Sequence, residues 1–157
     1  MSKHALWLSL ALVGCGGGGN DYTVDDIESG AIAGQIGGAS WEMVEALVRI
    51  DEFDDTALSI RVYAEDIDDC LSPIEPTAPF LLFNMPATTG EYPLSFSLTE
   101  GGQTVTMVEP PATNTIATEG IIDLVLDGDS VDLGLVAVAD DANTVNGTLS
   151  TTLCGGE

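Results

Sequence analysis

Residues 121–153 read IIDLVLDGDSVDLGLVAVADDANTVNGTLSTTL, and this stretch decides the fold. Apolar residues recur at every second position on both sides of the first turn: Ile122, Leu124 and Leu126 before it, and Val131, Leu133 and Leu135 after it. A period of two places alternate side chains on opposite faces of a β-strand, whereas a helix needs a period of 3.6. The turns at DG and DDANT therefore predict three successive strands over residues 115–128, 131–139 and 145–153.

The stretch upstream is more ambiguous. EMVEALVRI (42–50) fits a helix, since Met43, Ala46, Leu47 and Ile50 match its period. A hairpin is the simpler interpretation, because the DEFDD turn leads into TALSIRVYA (56–64), which alternates like a strand.

The remaining segments follow the same pattern. FLLFNM (80–85) reads as a strand buried on both faces, and the proline-rich, acidic residues 65–79 read as a loop. Turn signals recur about every 8 to 12 residues, which is typical of all-β domains. We predict an all-β fold, either an antiparallel β-sandwich or a small barrel, of about eight or nine strands.

The N-terminus has the pattern of a secretory signal peptide. Lys3 and His4 precede the apolar run 5–13, which is shorter than the roughly 20 residues that a membrane-spanning helix needs. The run ends in Leu12-Val13-Gly14-Cys15, which resembles the lipobox of bacterial lipoproteins. The alternative is an ordinary signal peptide that happens to contain a cysteine.

The lipoprotein resemblance implies cleavage before Cys15 and attachment of lipid to that residue. It predicts a signal peptide over 1–14, the lipidated cysteine with a flexible glycine-rich and acidic tether over 15–29, and a single sandwich-like domain over 30–157. Gly16 stands where an aspartate retains lipoproteins at the inner membrane, so the resemblance implies the outer membrane. The expected location is the cell envelope, with the lipid holding the protein to the membrane.

The chain is strongly acidic. Its 157 residues contain 26 Asp and Glu against 3 Lys and Arg. Without Lys3, the mature chain keeps only Arg49 and Arg61 as cations, so its side-chain charge is −24. Nucleic acid is excluded as a partner, because binding phosphates needs cationic side chains. The charge could reflect solubility in a salty medium, calcium binding or a cationic partner.

Calcium would require acids from two loops to converge. The candidate ligands are Asp127 and Asp129 in one predicted turn, and Asp140 and Asp141 in the next. DGDSVD is not an EF-hand, because Val131 takes the place of an oxygen ligand. The alternative is that solvated turns simply carry the charge. No other cofactor is expected.

Cysteine and histidine content limits the chemistry. If Cys15 carries the lipid, Cys70 and Cys154 are the two cysteines that remain. In an exported protein, a disulfide between them is favoured over two free thiols. His4 is the only histidine and is lost with the signal peptide, so a Ser-His-Asp site is excluded in the mature chain. Paired carboxylates of the glycosidase kind are the enzymatic alternative that remains.

Four aromatic residues could line a sugar-binding face or fill the core: Trp41, Tyr63, Tyr92 and Phe96. Residues 85–154, with the TGEYPL turn and the closing VNGTLSTTL, also resemble small β-rich envelope lipoproteins of unassigned function. That resemblance implies a fold and no activity. We expect a lipid-anchored envelope protein that acts as a structural or interaction module rather than an enzyme, with an unidentified protein or glycan partner. The alternative is a sandwich that binds calcium or carbohydrate.

Overall fold

The computed structural model describes residues 21–67, 70, 76–97 and 102–155. Within these residues the chain forms eleven strands and one 3-10 turn, Val24–Asp26. In chain order the strands are β1 (Ala33–Ile36), β2 (Ala39–Glu42), β3 (Glu45–Ile50), β4 (Ala57–Tyr63), β5 (Phe80–Pro86), β6 (Gly90–Pro93), β7 (Val105–Glu109), β8 (Thr113–Ala117), β9 (Glu119–Asp127), β10 (Ser130–Asp140) and β11 (Asn143–Thr152).

The strands form two antiparallel sheets that pack face to face. One sheet has six strands in the order β2-β1-β11-β10-β9-β6, and the other has five in the order β3-β4-β5-β7-β8. The predicted all-β fold is confirmed, and it is a sandwich rather than a closed barrel. The predicted hairpin is also confirmed, with β3 and β4 paired from Glu45↔Tyr63 to Ile50↔Leu58.

The strand count exceeds the eight or nine predicted, for two local reasons. Residues 39–42 form the extra strand β2, because Gly37 and Gly38, at φ 61° and 75°, turn the chain back onto β1. Residues 115–128 do not form one strand: β8 belongs to the five-stranded sheet, whereas β9 belongs to the six-stranded sheet. The chain crosses between the sheets there.

Alternating side chains from both sheets fill the space between them. The six-stranded sheet contributes Ile122, Leu124, Val131, Leu133 and Leu135, and the five-stranded sheet contributes Val48, Ile60, Val62, Leu81 and Phe83. Strand β5 was predicted to be buried on both faces, and this is wrong. Its residues alternate, with Leu81, Phe83 and Met85 buried and Asn84 exposed, because only one face of the strand points into the core between the sheets.

The outer face of the six-stranded sheet is partly covered by the residues before β1. Asn146 accepts a hydrogen bond from the Glu28 backbone N–H at 2.8 Å and donates one to the Asp26 carbonyl at 2.9 Å. Ile27 packs over Gly134. A Cβ added at residue 134 would lie only 2.9 Å from the Cδ1 atom of Ile27, so a side chain there would displace Ile27. Residues 24–28 therefore belong to the folded body and not to the flexible tether predicted over 15–29. Residues 15–20 lie outside the described residues.

The end of β11 connects the two sheets. Beyond Thr152, the Cys154 backbone N–H donates to the Val48 carbonyl of β3 at 2.7 Å. Cys154 is disulfide-bonded to Cys70, with the two Cα atoms 5.5 Å apart. The predicted bridge is thus confirmed. No helix within the described residues has the length and apolar character needed to cross a membrane.

Candidate functional site

The four aspartates predicted as calcium ligands lie at the two ends of β10. Asp127 and Asp129 are in the β9–β10 turn, and Asp140 and Asp141 are in the β10–β11 turn. β10 has eleven residues, which places the two turns about 30 Å or more apart. The fold does not bring the two pairs together, so one cation cannot contact both. The described part of the chain also contains no group of three or more His, Cys, Asp or Glu placed to hold a metal.

Several turn acids accept hydrogen bonds that shape their own turns. Asp140 accepts from the Ala142 backbone N–H at 2.8 Å and from Asn143 Nδ2 at 2.9 Å. Asn143 Oδ1 in turn accepts from the Gly37 backbone N–H at 2.8 Å, which joins the β10–β11 turn to the β1–β2 turn. These contacts hold the Asp140 carboxylate in a structural role.

Two other acids, Asp54 and Glu65, accept hydrogen bonds that lower their pKa values. The Thr56 hydroxyl and backbone N–H donate to Asp54 and lower its pKa. The Ala78 backbone N–H, followed by the hydroxyl and the backbone N–H of Thr77, lowers the pKa of Glu65. These hydrogen bonds connect Thr77 and Ala78, which precede β5, to Glu65, which follows β4. Hydrogen bonds to a carboxylate favour its charged form.

The four aromatic residues considered for a sugar-binding face do not share one. Trp41 is buried on β2 and donates from Nε1 to the Pro79 carbonyl at 2.7 Å. Tyr63 is buried on β4 and stacks on Phe80 with ring centroids 5.6 Å apart. Tyr92 is on β6 and donates to the Thr88 carbonyl, and Phe96 is exposed beyond that strand. The fold disperses them over both sheets.

A different surface gathers unusual side chains, on the outer face of the five-stranded sheet. We call it the arginine face and define it by six outward residues of β3, β4 and β5: Leu47, Arg49, Ser59, Arg61, Leu82 and Asn84. Glu45, Tyr63 and Phe80 continue the same face toward the other end of the strands. The arginine face carries both arginines, and the one other cationic residue of the sequence is Lys3. Arg49 pairs with Ser59 across β3 and β4, and Arg61 lies between Leu47 and Leu82. All the positive charge of the described residues is therefore on one face.

Neither arginine is neutralised by a close ion pair among the described residues. Arg49 Nη1 lies 3.9 Å from Glu52 Oε1, and both side chains are exposed, which makes a weak pair. The Nε of Arg61 is buried and has no hydrogen-bond partner in the described part of the chain. A buried donor without a partner costs about 1–3 kcal/mol. Such a group is a candidate for contact with a ligand.

An open groove of about 540 Å³ crosses the arginine face. Its lining includes Arg49, Asp51, Phe53, Arg61, Leu82 and Asn84. Asp51 accepts hydrogen bonds from the Phe53 backbone N–H and from Asn84 Nδ2, both at 2.8 Å. Asp51 thereby fixes the backbone of the turn that carries Phe53, whose side chain is 96% exposed.

A second, much smaller pocket of about 20 Å³ lies beside the disulfide. Leu47, Arg61, Tyr63 and Cys154 are among its lining residues. It has room for one water-sized oxygen atom. Arg61 thus contacts both the open groove and this small cavity.

The two guanidinium groups give the groove donors that suit an anion. A guanidinium offers several N–H donors in a plane and matches the two oxygens of a carboxylate. Asp51, the one carboxylate among the described residues that line the groove, already accepts two hydrogen bonds. The sequence shows that Arg49 and Arg61 are the only cationic residues left after residue 14, but it does not predict that they form a binding site. Their register across the predicted hairpin was the signal that could have placed them together.

Comparison with known proteins adds no relative. No protein-family model, no curated protein and no solved structure matches the chain.

Proposed function

We propose that this chain is a lipid-anchored protein of the bacterial cell envelope whose β-sandwich acts as a non-catalytic interaction module. The lipobox-like residues 12–15 support the anchor, and they lie outside the described residues. Gly16 to Gly19 would hold the body away from the membrane, and Gly16 favours the outer membrane. The Cys70–Cys154 bridge fits an oxidising compartment.

The arginine face is the observation that carries the interaction role. Binding surfaces are enriched in arginine and aromatic side chains and depleted of other charges at their centre. Arg61 and Leu82 are half-buried near the middle of this face, and Phe53 is exposed at its edge. Because the mature chain has a charge of −24, this face is also the place where a negatively charged partner meets the least repulsion.

The anchor is tested by Cys15→Ser. We expect the wild type in the membrane fraction and the variant in the soluble fraction after a high-salt wash, because the described body has no apolar anchor of its own. Cell fractionation followed by immunoblotting measures the distribution. A wild type that is soluble, or a variant that stays membrane-bound, would refute the lipoprotein hypothesis.

A control separates loss of lipid from retention of an uncleaved signal peptide. In it, residues 1–14 are replaced by a signal peptide that does not direct lipidation, and Cys15 is again Ser. This secreted form also serves as the reagent for the interaction role. It should sediment with isolated envelope fragments, and the charge-removing variant Arg49→Gln should sediment less.

A further inference from the structure

We propose that the groove across the arginine face binds a sugar ring that carries a carboxylate, a hexuronate being the simplest case. This inference rests on the proposed interaction role and names the class of its ligand. It draws on the charge, the orphaned donor and the lining of the groove.

The placement of the two arginines is the first line of support. Arg49 and Arg61 are diagonal neighbours on one face of the β3–β4 pair, since Arg61 lies opposite Leu47. Diagonal neighbours are about 7–8 Å apart, so two like charges there repel each other. The weak 3.9 Å contact with Glu52 relieves only Arg49, and Glu45, the other diagonal neighbour of Arg61 on β3, accepts the Ile67 backbone N–H at 2.6 Å and forms no close ion pair among the described residues. A bound anion would relieve both.

The second line of support is the partly buried guanidinium of Arg61. Its Nε is buried and lacks a hydrogen-bond partner among the described residues, although the same side chain lines the open groove. Arginine binds carboxylates in a bidentate manner through parallel N–H···O bonds. Because the Nε itself is buried, a ligand carboxylate in the groove would bind the terminal Nη groups of this side chain.

The lining of the groove favours a hydroxyl-rich ligand over an apolar one. Ser59, Asn84, Thr104 and Thr106 provide neutral donors and acceptors along it. Phe53 provides an exposed aromatic surface at one end. Ligand sites typically combine such an apolar surface with a few convergent polar groups. A pyranose ring has one apolar face and several hydroxyls, which matches this combination.

A carboxylate is favoured over a phosphate by the charge of the whole body. The mature chain carries −24, and every added negative charge on the ligand increases the repulsion. A hexuronate brings one negative charge per ring, which two arginines can compensate fully, whereas a phosphate monoester brings about −1.5 to −2 on one group. A carboxylate also matches the planar fork of a guanidinium.

The test titrates the full mature chain, in the Cys15→Ser form, with trigalacturonate at low salt by isothermal calorimetry. The matched neutral probe is the methyl ester of the same trisaccharide, which keeps its hydroxyls and loses its charges. We expect binding of the acid and at least tenfold weaker binding of the ester. Raising the salt should weaken the binding of the acid.

Substitutions then locate the site. Arg61→Gln and Arg49→Gln should each reduce the affinity for trigalacturonate by about tenfold or more, since a hydrogen bond to a charged group is worth about that factor. The control is Gln35→Glu, an exposed position on β1 that changes the net charge by the same amount. It should leave the affinity within about twofold. Because Arg61 is partly buried, a thermal melt tests whether Arg61→Gln is folded. If it is not, the affinity of Arg49→Gln decides the test, since Arg49 is more exposed.

Three outcomes would overturn the inference: equal binding of acid and ester, no binding of the acid, or equal loss of affinity in Gln35→Glu. If a triglutamate peptide binds as tightly as trigalacturonate, with the same dependence on the two arginines, the inferred ligand is an acidic peptide and the sugar proposal is wrong. Failure here leaves the proposed function standing if the secreted form still sediments with envelope fragments. Failure of the anchor test leaves this titration unaffected.

Discussion

At the scale of single residues, the acids near the turns serve as acceptors for nearby N–H and O–H groups. Glu65 accepts from Thr77 and Ala78, Asp54 accepts from Thr56, and Asp140 accepts from Ala142. For Glu65 and Asp54 these bonds favour the ionised carboxylate and lower its pKa. Part of the large negative charge of the chain therefore has a structural use.

Glu65 allows a direct test of this role. Its lowered pKa means that its hydrogen bonds stabilise the fold above the pKa of the unfolded chain, and that this contribution is lost as the pH falls through the folded pKa. Thr77→Val removes the hydroxyl bond and should raise the pKa of Glu65 partway toward 4.5. NMR titration of the carboxyl carbon measures it. The matched control is Thr56→Val, which should raise the pKa of Asp54 and leave that of Glu65 unchanged. An unmoved Glu65 in the Thr77 variant would contradict the assignment.

The sequence predicted some site residues and not others, for a physical reason. Cys70 and Cys154 could be paired because only two cysteines remain in an exported chain, and the structure places their Cα atoms 5.5 Å apart. The four aspartates could not be placed, because convergence of turns depends on which end of a strand each turn occupies. Asp127 and Asp141 are at opposite ends of β10, which a list of acidic turns does not reveal.

At the scale of strands, the period-two alternation of apolar residues correctly predicted the strands that keep the same pairing partners along their length. β9, β10 and the β3–β4 hairpin follow it closely. The alternation did not reveal that the chain moves from one sheet to the other between Ala117 and Glu119. Apolar residues continue to alternate into β9, although β8 pairs with β7 and β9 pairs with β10. At Gly120, φ is 130° and an added Cβ would clash with the Val136 carbonyl, so the glycine itself was the available signal.

The disulfide joins elements that are 84 residues apart in sequence, and its loss should be costly. The double variant Cys70→Ser, Cys154→Ser should lose about 4–5 kcal/mol of unfolding free energy in the loop-entropy model. Urea denaturation of the mature protein measures the loss.

Reduced wild-type protein provides the control, and it should unfold at the same urea concentration as the double variant. Mass spectrometry of the non-reduced protein gives an independent check. Two free thiols in the mature chain would contradict the bridge.

At the scale of the whole molecule, the charge is distributed unevenly. Both arginines lie on the outer face of the five-stranded sheet, while acids occupy turns at both ends of the sandwich. With a formal net charge of −23 at pH 7 over the whole sequence, self-repulsion opposes the compact state. The fold should therefore depend on the ionic strength of its surroundings.

We expect the melting temperature to rise with added sodium chloride. The Debye length falls from about 30 Å at 0.01 M to about 3 Å at 1 M, which screens repulsion between distant acids. Differential scanning calorimetry of the mature protein over this range measures the effect. A double variant, Asp127→Asn with Asp141→Asn, removes two exposed charges and should melt higher at low salt, with a smaller salt dependence.

Calcium distinguishes screening from a specific site in the same experiment. Because the two aspartate pairs lie at opposite ends of β10, millimolar calcium should add nothing beyond its ionic strength. A bound ion would instead raise the melting temperature saturably, following RT ln(1 + [L]/Kd). The double variant would lose that increment, since it removes one acid from each pair. A melting temperature that is flat from low to high sodium chloride would contradict the repulsion argument, and would mean that a bound cation already compensates the acids.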